Sequence, residues 1–368
     1  MKRMMRGARG LVVALVCAVC GTAGAGEFKI QSFDGTGQLT FNRVATATVY
    51  RVEWAPTPSG PWTNFTGAAG AALDNIAQFS SGSYTCSVPM CYRVVATVTN
   101  AAPPQVPQGM VLIPAGTNSG ADPDFGAYSL TVEAFYMDAT EVTKAMWDEV
   151  RIWAAVNGYA DLAAGGGKAA NHPVQTVNWY DVAKWCNARS QKAGRTPVYY
   201  TDAAMTQEYK TGDVSEPYVK ASADGYRLPT DVQWEYAARG GVSSWRFPWS
   251  DADTIQHARA NYYSSSSYAY DTSPTRDNHP TYATGETPYT SPAGSFAPNG
   301  YGLYDMAGNV WEWCYDWYPG YEGSLRVLRG GGWGNGAGNC RVASRPYYYP
   351  DHRNYHYGFR AVLPPGQQ

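Results

Sequence analysis

Two cysteines of this 368-residue chain fall late in it, Cys314 in WEWCYDW and Cys340 in GNCRVASR, and cysteine has the widest chemical reach of any side chain present. A thiol acts as nucleophile or soft-metal ligand only as the thiolate, so each would need an activating neighbour. No histidine stands beside Cys340, which leaves it a candidate nucleophile without a base. In an oxidising compartment the expected state is a disulfide between Cys314 and Cys340. A buried thiol and catalysis by Cys340 are the other readings. The histidines are His172, His257, His279, His352 and His356. His352 and His356 are four apart, but the surrounding PDHRNYHYG disfavours a helix.

A second concentration of chemistry is RPYYYPDHRNYHYGFR, residues 345–360. Tyrosine buries a large amphipathic area with few rotamers to freeze, and asparagine, serine and glycine adapt their hydrogen bonding. That composition suits a binding face better than a catalytic centre.

Elements must position these residues, and the chain begins with one that does not. Lys2, Arg3, Arg6 and Arg9 precede an apolar run from Leu11 to Cys20, and Ala23 and Ala25 form an A-x-A site. Residues 1–25 therefore read as a signal peptide. The apolar run is well short of the ~20 residues that span a bilayer. The mature protein is expected to be secreted, periplasmic or held at the cell envelope, with no integral membrane segment. Losing the four leader cations takes 28 Lys and Arg to 24 against 30 Asp and Glu, a formal charge of −6. Such a chain has no general pull towards nucleic acid. Cys86, Cys91, Cys186, Cys314 and Cys340 remain, an odd number that leaves at least one unpaired within a monomer. Cys86 and Cys91 form either a local disulfide or two buried thiols.

Residues 27–99 alternate in short runs such as TVYRVEWAP and CYRVVATVT between Gly, Pro and Asn, the pattern of a small all-β sandwich domain. YRVEWAPTPSGPWTNF resembles a fibronectin-type-III strand and loop. Residues 100–109, NAAPPQVPQG, read as a proline-rich linker. A larger domain follows over 110–363, with three short helices. One runs from about Glu141 to Val156, one covers DVAKWCNARSQKAG to Gly194, and one starts after Thr230 as N-cap and stops at Gly240. GNVWEW should pack Trp311 and Trp313 around a turn opened by Gly308, with Arg227, Glu235 and Arg239 tying loops by charge-assisted hydrogen bonds.

Seven blocks in order, GMVLIPAG, FYMDATEVT, HPVQTVNWYDVAKWCN, YRLPTDVQWEYAARGG, PNGYGLYDMAGNVWEW, RVLRGGGW and GFRAV, resemble the sulfatase-modifying-factor family, that of the formylglycine-generating enzyme. The resemblance implies an α+β fold, a large irregular C-type-lectin-like domain. It also implies a reaction: these enzymes oxidise a cysteine of a sulfatase with oxygen and Cu(I). The Cu(I) is held by two cysteines between a GGS-aromatic turn and an R-x-A-x-R segment. Soft thiolates suit Cu(I). Here that segment reads GGGWGNGAGNCRVASR, with Cys340 alone and on neither metal position, so copper is not expected. Structural calcium is implied through Asn261, the Tyr262 carbonyl, Asn309, the Val310 carbonyl and Glu312, hard oxygens of the kind it takes. Asn309 and Glu312 could equally cap a turn.

In lectin-like domains of this kind, the loops after the GG-x-W turn are exposed on the face that carries the enzyme's substrate groove. The resemblance thus makes Trp333, Asn335, Asn339, Arg345, Tyr347, Tyr348, Tyr349, His352, Asn354, Tyr355, His356 and Tyr357 the candidate ligand-binding residues, with Trp333 and Arg345 shaping the floor. The tail is also similar to variable regions diversified by retroelements, where Asn codons change to Tyr, His, Asp, Ser, Gly or Ala. The reading is a non-catalytic binder of an unidentified protein or glycan. The alternative is a formylglycine-generating oxidoreductase using Cys340.

Overall fold

A computed structural model of the chain describes residues 106–365 and, before them, the backbone of six strands between residues 30 and 97. The expected signal peptide, Cys91 and the linker as far as residue 105 lie outside the described residues, as does the side chain of Cys86. The chain divides into two compact units between Gln105 and Val106.

The first unit carries β1 (Ile30–Phe33), β2 (Gln38–Asn42), β3 (Val49–Trp54), β4 (Thr63–Asn64), β5 (Ser83–Ser87) and β6 (Tyr92–Thr97). They pair antiparallel as two sheets, β1–β2–β5 and β4–β3–β6. The alternating VYRVEW and YRVVAT segments pair in unbroken register from Val49 opposite Thr97 to Trp54 opposite Tyr92.

The second unit opens with β7 (Met110–Ile113), the hairpin β8 (Gly116–Asp122) and β9 (Gly126–Val132), and β10 (Phe135–Asp138). Helices α1 (Lys144–Ala155) and α2 (Trp179–Lys192), the short strands β11 (Tyr199–Tyr200) and β12 (Tyr218–Val219), and helix α3 (Asp231–Ala238) follow. A long irregular stretch then leads to β13 (Trp311–Trp317), β14 (Arg326–Arg329), β15 (Tyr347–Tyr348), β16 (Tyr357–Gly358) and β17 (Val362–Leu363). The fold is α+β, with few helices and several small sheets. Strand β17 returns to the domain's start, since Tyr136 of β10 lies between Leu112 and Leu363 in one sheet.

Each helix starts where a side chain can satisfy its orphan N–H groups. Thr143 accepts from the Met146 N–H, so α1 begins three residues later than its apolar pattern suggests, and Glu141 and Val142 stay outside it. Asn178 with Asp181 and Thr230 with Gln233 make capping boxes for α2 and α3. Trp147 of α1 stacks on Trp185 of α2 at 5.7 Å, and Phe359 meets both rings edge-on. A second core gathers Ile113, Phe135, Met137, Trp234, Leu303 and Cys314, and a third holds Phe247, Ile255, Tyr262 and Cys340.

Between α3 and β13 the backbone is tied by side chains rather than by strand ladders. Asp271 accepts from the Tyr262 and Ser264 hydroxyls and from the backbone N–H groups of Ser265 and Ser273. A buried chain of alternating charge runs Asp122–Arg239–Glu235–Arg329–Asp231, with Arg345 at its outer end. It locks the β8–β9 hairpin and α3 to β14.

Candidate functional site

The tail is fixed at both ends and along its length. Strand β15 forms one edge of the four-stranded sheet β15–β14–β13–β16, while β16 lies parallel to β13 at the other edge, so residues 349–356 cross from one edge to the other. Between them, the Pro350 and Asn354 carbonyls accept from the N–H groups of Trp179 and Thr176, at 3.0 and 2.9 Å. Arg353 meets Asp181 through two hydrogen bonds of 2.8 and 3.0 Å, and Asn178 donates to the Asp351 carbonyl. The start of α2 is thus the anchor of the loop.

The anchored backbone leaves its tyrosines outside. Tyr347, Tyr348, Tyr349 and Tyr355 are 40, 38, 57 and 46% exposed. Three aromatic groups result. Tyr347 packs on Tyr318 and Tyr321, with Arg345 over the Tyr318 ring. Tyr348 touches Tyr349, His352 and Tyr357. Tyr355 and His356 stack on Trp333, whose other neighbour is Tyr289. Tyr289, Tyr318 and Tyr321 were not among the expected site residues; the tyrosines bracketing the Pro-Gly turn of YPGY were the available signal.

Several expected contact residues serve the scaffold instead. Trp333 and Tyr357 are buried. The Asn335 side-chain oxygen accepts from the Trp311 indole at 2.9 Å, and that of Asn354 accepts from the His356 N–H at 3.0 Å. Asn339 is half-buried in a short 3-10 turn, Ala337–Cys340. Trp333 and Arg345 do not share a floor: Arg345 pairs with Asp231 at 2.8 Å, in a different aromatic group from Trp333. His352 and His356 are half-buried rather than open, and burial lowers the pKa of His356 to about 4, leaving it neutral at pH 7.

The expected Cys314–Cys340 disulfide does not form. Both are free, wholly buried thiols, each in its own core, as is Cys186. Burial pushes the Cys340 thiol far above its usual range, so its nucleophilic form is suppressed. The structural reason is packing: Cys314 lies in the core with Trp234 and Leu303, and Cys340 in the separate core with Phe247 and Ile255.

Three of the five oxygens expected at calcium have protein partners. The Glu312 carboxylate is taken by Arg360, at 2.7 Å to each oxygen, and by the Trp234 indole. The Asn309 oxygen accepts from the Ser291 N–H and the Tyr262 carbonyl from His257. Asn261 alone of the predicted side chains keeps a buried oxygen without a partner. Among the described residues, no three His, Cys, Asp or Glu groups converge to hold a metal. Neighbouring Glu141 is buried with both oxygens unpartnered, and Asp305 with one. Burial raises the pKa of both, to about 6 for Asp305.

The comparisons agree with this architecture. A family model described as a sulfatase-modifying factor enzyme 1-like domain matches residues 95–364. The chain is 31% identical to the chaperone protein LppX of Paenibacillus barcinonensis, over 65% of this chain and 83% of that one. It is 32% identical to the formylglycine-generating enzyme of Thermomonospora curvata, over 65% and 72% of the two chains. Among solved structures, Treponema denticola variable protein 1 superposes with a TM-score of 0.52 at 26% identity, covering 70% of this chain and 95% of that one. Among the described residues no helix is long and apolar enough to cross a membrane. On these grounds the chain belongs to the sulfatase-modifying-factor family, that of the formylglycine-generating enzyme, with its C-type-lectin-like fold.

Proposed function

We propose that this chain is an exported, non-catalytic binding member of the family, presenting its tyrosine-rich tail to a protein or glycan. The observation that carries this reading is the contrast within the tail, where the backbone is tied to α2 while Tyr347, Tyr348, Tyr349 and Tyr355 remain exposed. A rigid backbone bearing exposed tyrosines loses little entropy on binding. It also tolerates exchange of those side chains, as a diversified tail requires, and the likeness to a protein named variable supports that extension. Buried Cys314 and Cys340, in separate cores, speak against a two-thiolate copper site.

The test pairs two measurements on the mature protein. Wild type and a Y347A/Y348A/Y349A/Y355A variant are screened on a glycan array and against envelope protein extracts, and thiol labelling is run with Cu(I) titration. A hit lost in the variant, with Cys314 and Cys340 labelled only after denaturation, is the expected result. Stoichiometric Cu(I) uptake with rapid native labelling of Cys340 would make the tail a substrate groove and restore the oxidase alternative. Sequencing the tail-coding region across copies and strains tests diversification: substitutions confined to the exposed positions are expected, and an invariant tail removes that extension.

A further inference from the structure

A cavity of about 460 Å³ lies between the β8–β9 hairpin, α3 and the segment leading into β15. Small-molecule pockets span roughly 300–1,000 Å³, so it is large enough for one sugar-sized ligand. It adjoins the tail, sharing Tyr318 and Arg345 with the Tyr347 group, but its lining does not include Tyr349 or Tyr355.

We propose that this cavity binds a neutral polyhydroxylated ligand, of the class of a sugar residue. The charges that line it decide against an ion. Asp122, Asp231 and Glu235 are matched by Arg239, Arg329 and Arg345, each in contact with an opposite charge. On the floor an ionic ligand finds no uncompensated partner, and only the exposed Arg345 at the lip could meet a charge without breaking a buried pair.

Hydroxyl groups face no such obstacle. Asp231 accepts one side-chain hydrogen bond at each oxygen, and Glu235 accepts one at Oε2. Each carboxylate oxygen has two lone pairs, so acceptors remain free. Both side chains keep a small open edge, at 11 and 10% exposure. At the lip, Arg345 uses a single N–H on Asp231 and is 40% exposed, which leaves donors for ligand oxygens. Neighbouring hydroxyls can therefore donate to the floor and accept from the lip without disturbing a pair.

The walls complete the match. Phe125, Tyr128 and Tyr318 line the cavity, and an arginine lies over one face of each ring, which leaves ring edges and the opposite faces for the C–H groups of such a ligand. Arg239 lies over Tyr128 at 3.8 Å and Arg341 over Phe125 at 4.6 Å, which holds both rings in place.

The experiment is saturation-transfer NMR on the full chain with methyl glycosides of glucose, galactose, mannose and N-acetylglucosamine, alongside acetate and phosphate as charged probes. Ala343 is half-buried at the cavity edge, so A343F fills the space without removing a core group. At least one glycoside is expected to bind, to be lost in A343F and to weaken about tenfold in R345Q, equivalent to ~1.4 kcal/mol. I152S, on the exposed side of α1, should leave binding unchanged. Thermal unfolding of each variant separates loss of the cavity from loss of the fold, and Y318A, which trims a wall instead of filling the space, should also weaken binding.

No glycoside signal, stronger binding of a charged probe, or full binding by folded A343F would overturn the proposal. Glycoside binding lost in the Y347A/Y348A/Y349A/Y355A variant but kept in A343F would also overturn it, while leaving the tail reading intact.

Discussion

Two adjoining stretches near the C-terminus have opposite fates. Residues 330–344 turn inward: Gly330 and Gly331 take positive φ, Cys340 is sealed, and Asn335 closes a hydrogen bond to Trp311. Residues 345–357 are tied through their backbone and leave tyrosines in the open. In the formylglycine-generating enzymes the copper cysteines belong to the first stretch. Here the cysteine of the first stretch is buried, and the tyrosines of the second are exposed.

The comparison is most easily broken where the open stretch re-enters the core. Arg360 and Glu312 are both wholly buried and joined at 2.7 Å. Removing one partner of such a pair leaves an uncompensated charge, so R360A should lose about 3–5 kcal/mol in urea unfolding. An R360M/E312Q double variant should recover part of that loss. A cost for R360A below 1 kcal/mol would mean that the tail is not fixed from this end.

A smaller effect probes the sealed stretch. Cys340 sits among Phe247, Ile255, Ala260 and Ala307, so C340S places a hydroxyl among apolar groups and should cost about 1–3 kcal/mol. A freely accessible thiol would give almost no cost, and the same variant's labelling pattern would expose the error.

Much of the frame was legible in the sequence. The Thr230 cap, the Gly240 stop and the ordered blocks all specify local structure directly. The apolar pattern continues back to Val142, yet the first helix starts later, because Thr143 caps it and the Val142 N–H donates to the Phe359 carbonyl. The site was less legible. Whether Cys314 and Cys340 meet, whether Glu312 faces an ion or Arg360, and which tail tyrosines are covered depend on contacts between residues far apart in sequence. Composition marked the tail as unusual, yet it could not separate exposed Tyr355 from buried Tyr357, two positions away.

Titration sharpens the contrast between interior and surface, with two groups acting in opposite directions. His356 falls from 6.5 to about 4 in the folded protein, so between those values the unfolded chain binds more protons. Its stabilising contribution is present above pH 6.5 and is lost as pH falls towards 4. Asp305 rises from 3.8 to about 6, so the folded state binds more protons in that window. Its contribution is full below 3.8 and is lost as pH rises towards 6. In melting curves from pH 4 to 7, H356F should reduce the acid loss and D305N should reduce the loss on the neutral side. Unchanged pH slopes in both variants would mean that neither group is buried as described.

The smallest expected effect carries the functional reading. Tyr349 and Tyr355 are 57 and 46% exposed, whereas Tyr357 is 8% exposed and meets Trp313 and Tyr348. Y349A and Y355A should each change stability by no more than about 0.5 kcal/mol, as surface substitutions do. Y357A leaves a cavity and should cost about 3–5 kcal/mol, the range for large aromatic truncations in a core. Urea unfolding of the three variants gives the comparison directly. If Y349A and Y355A prove as costly as Y357A, the tyrosines hold the fold together and are not free to be exchanged. If they are silent, the tail keeps side chains that stability does not require, as the proposed binding role needs.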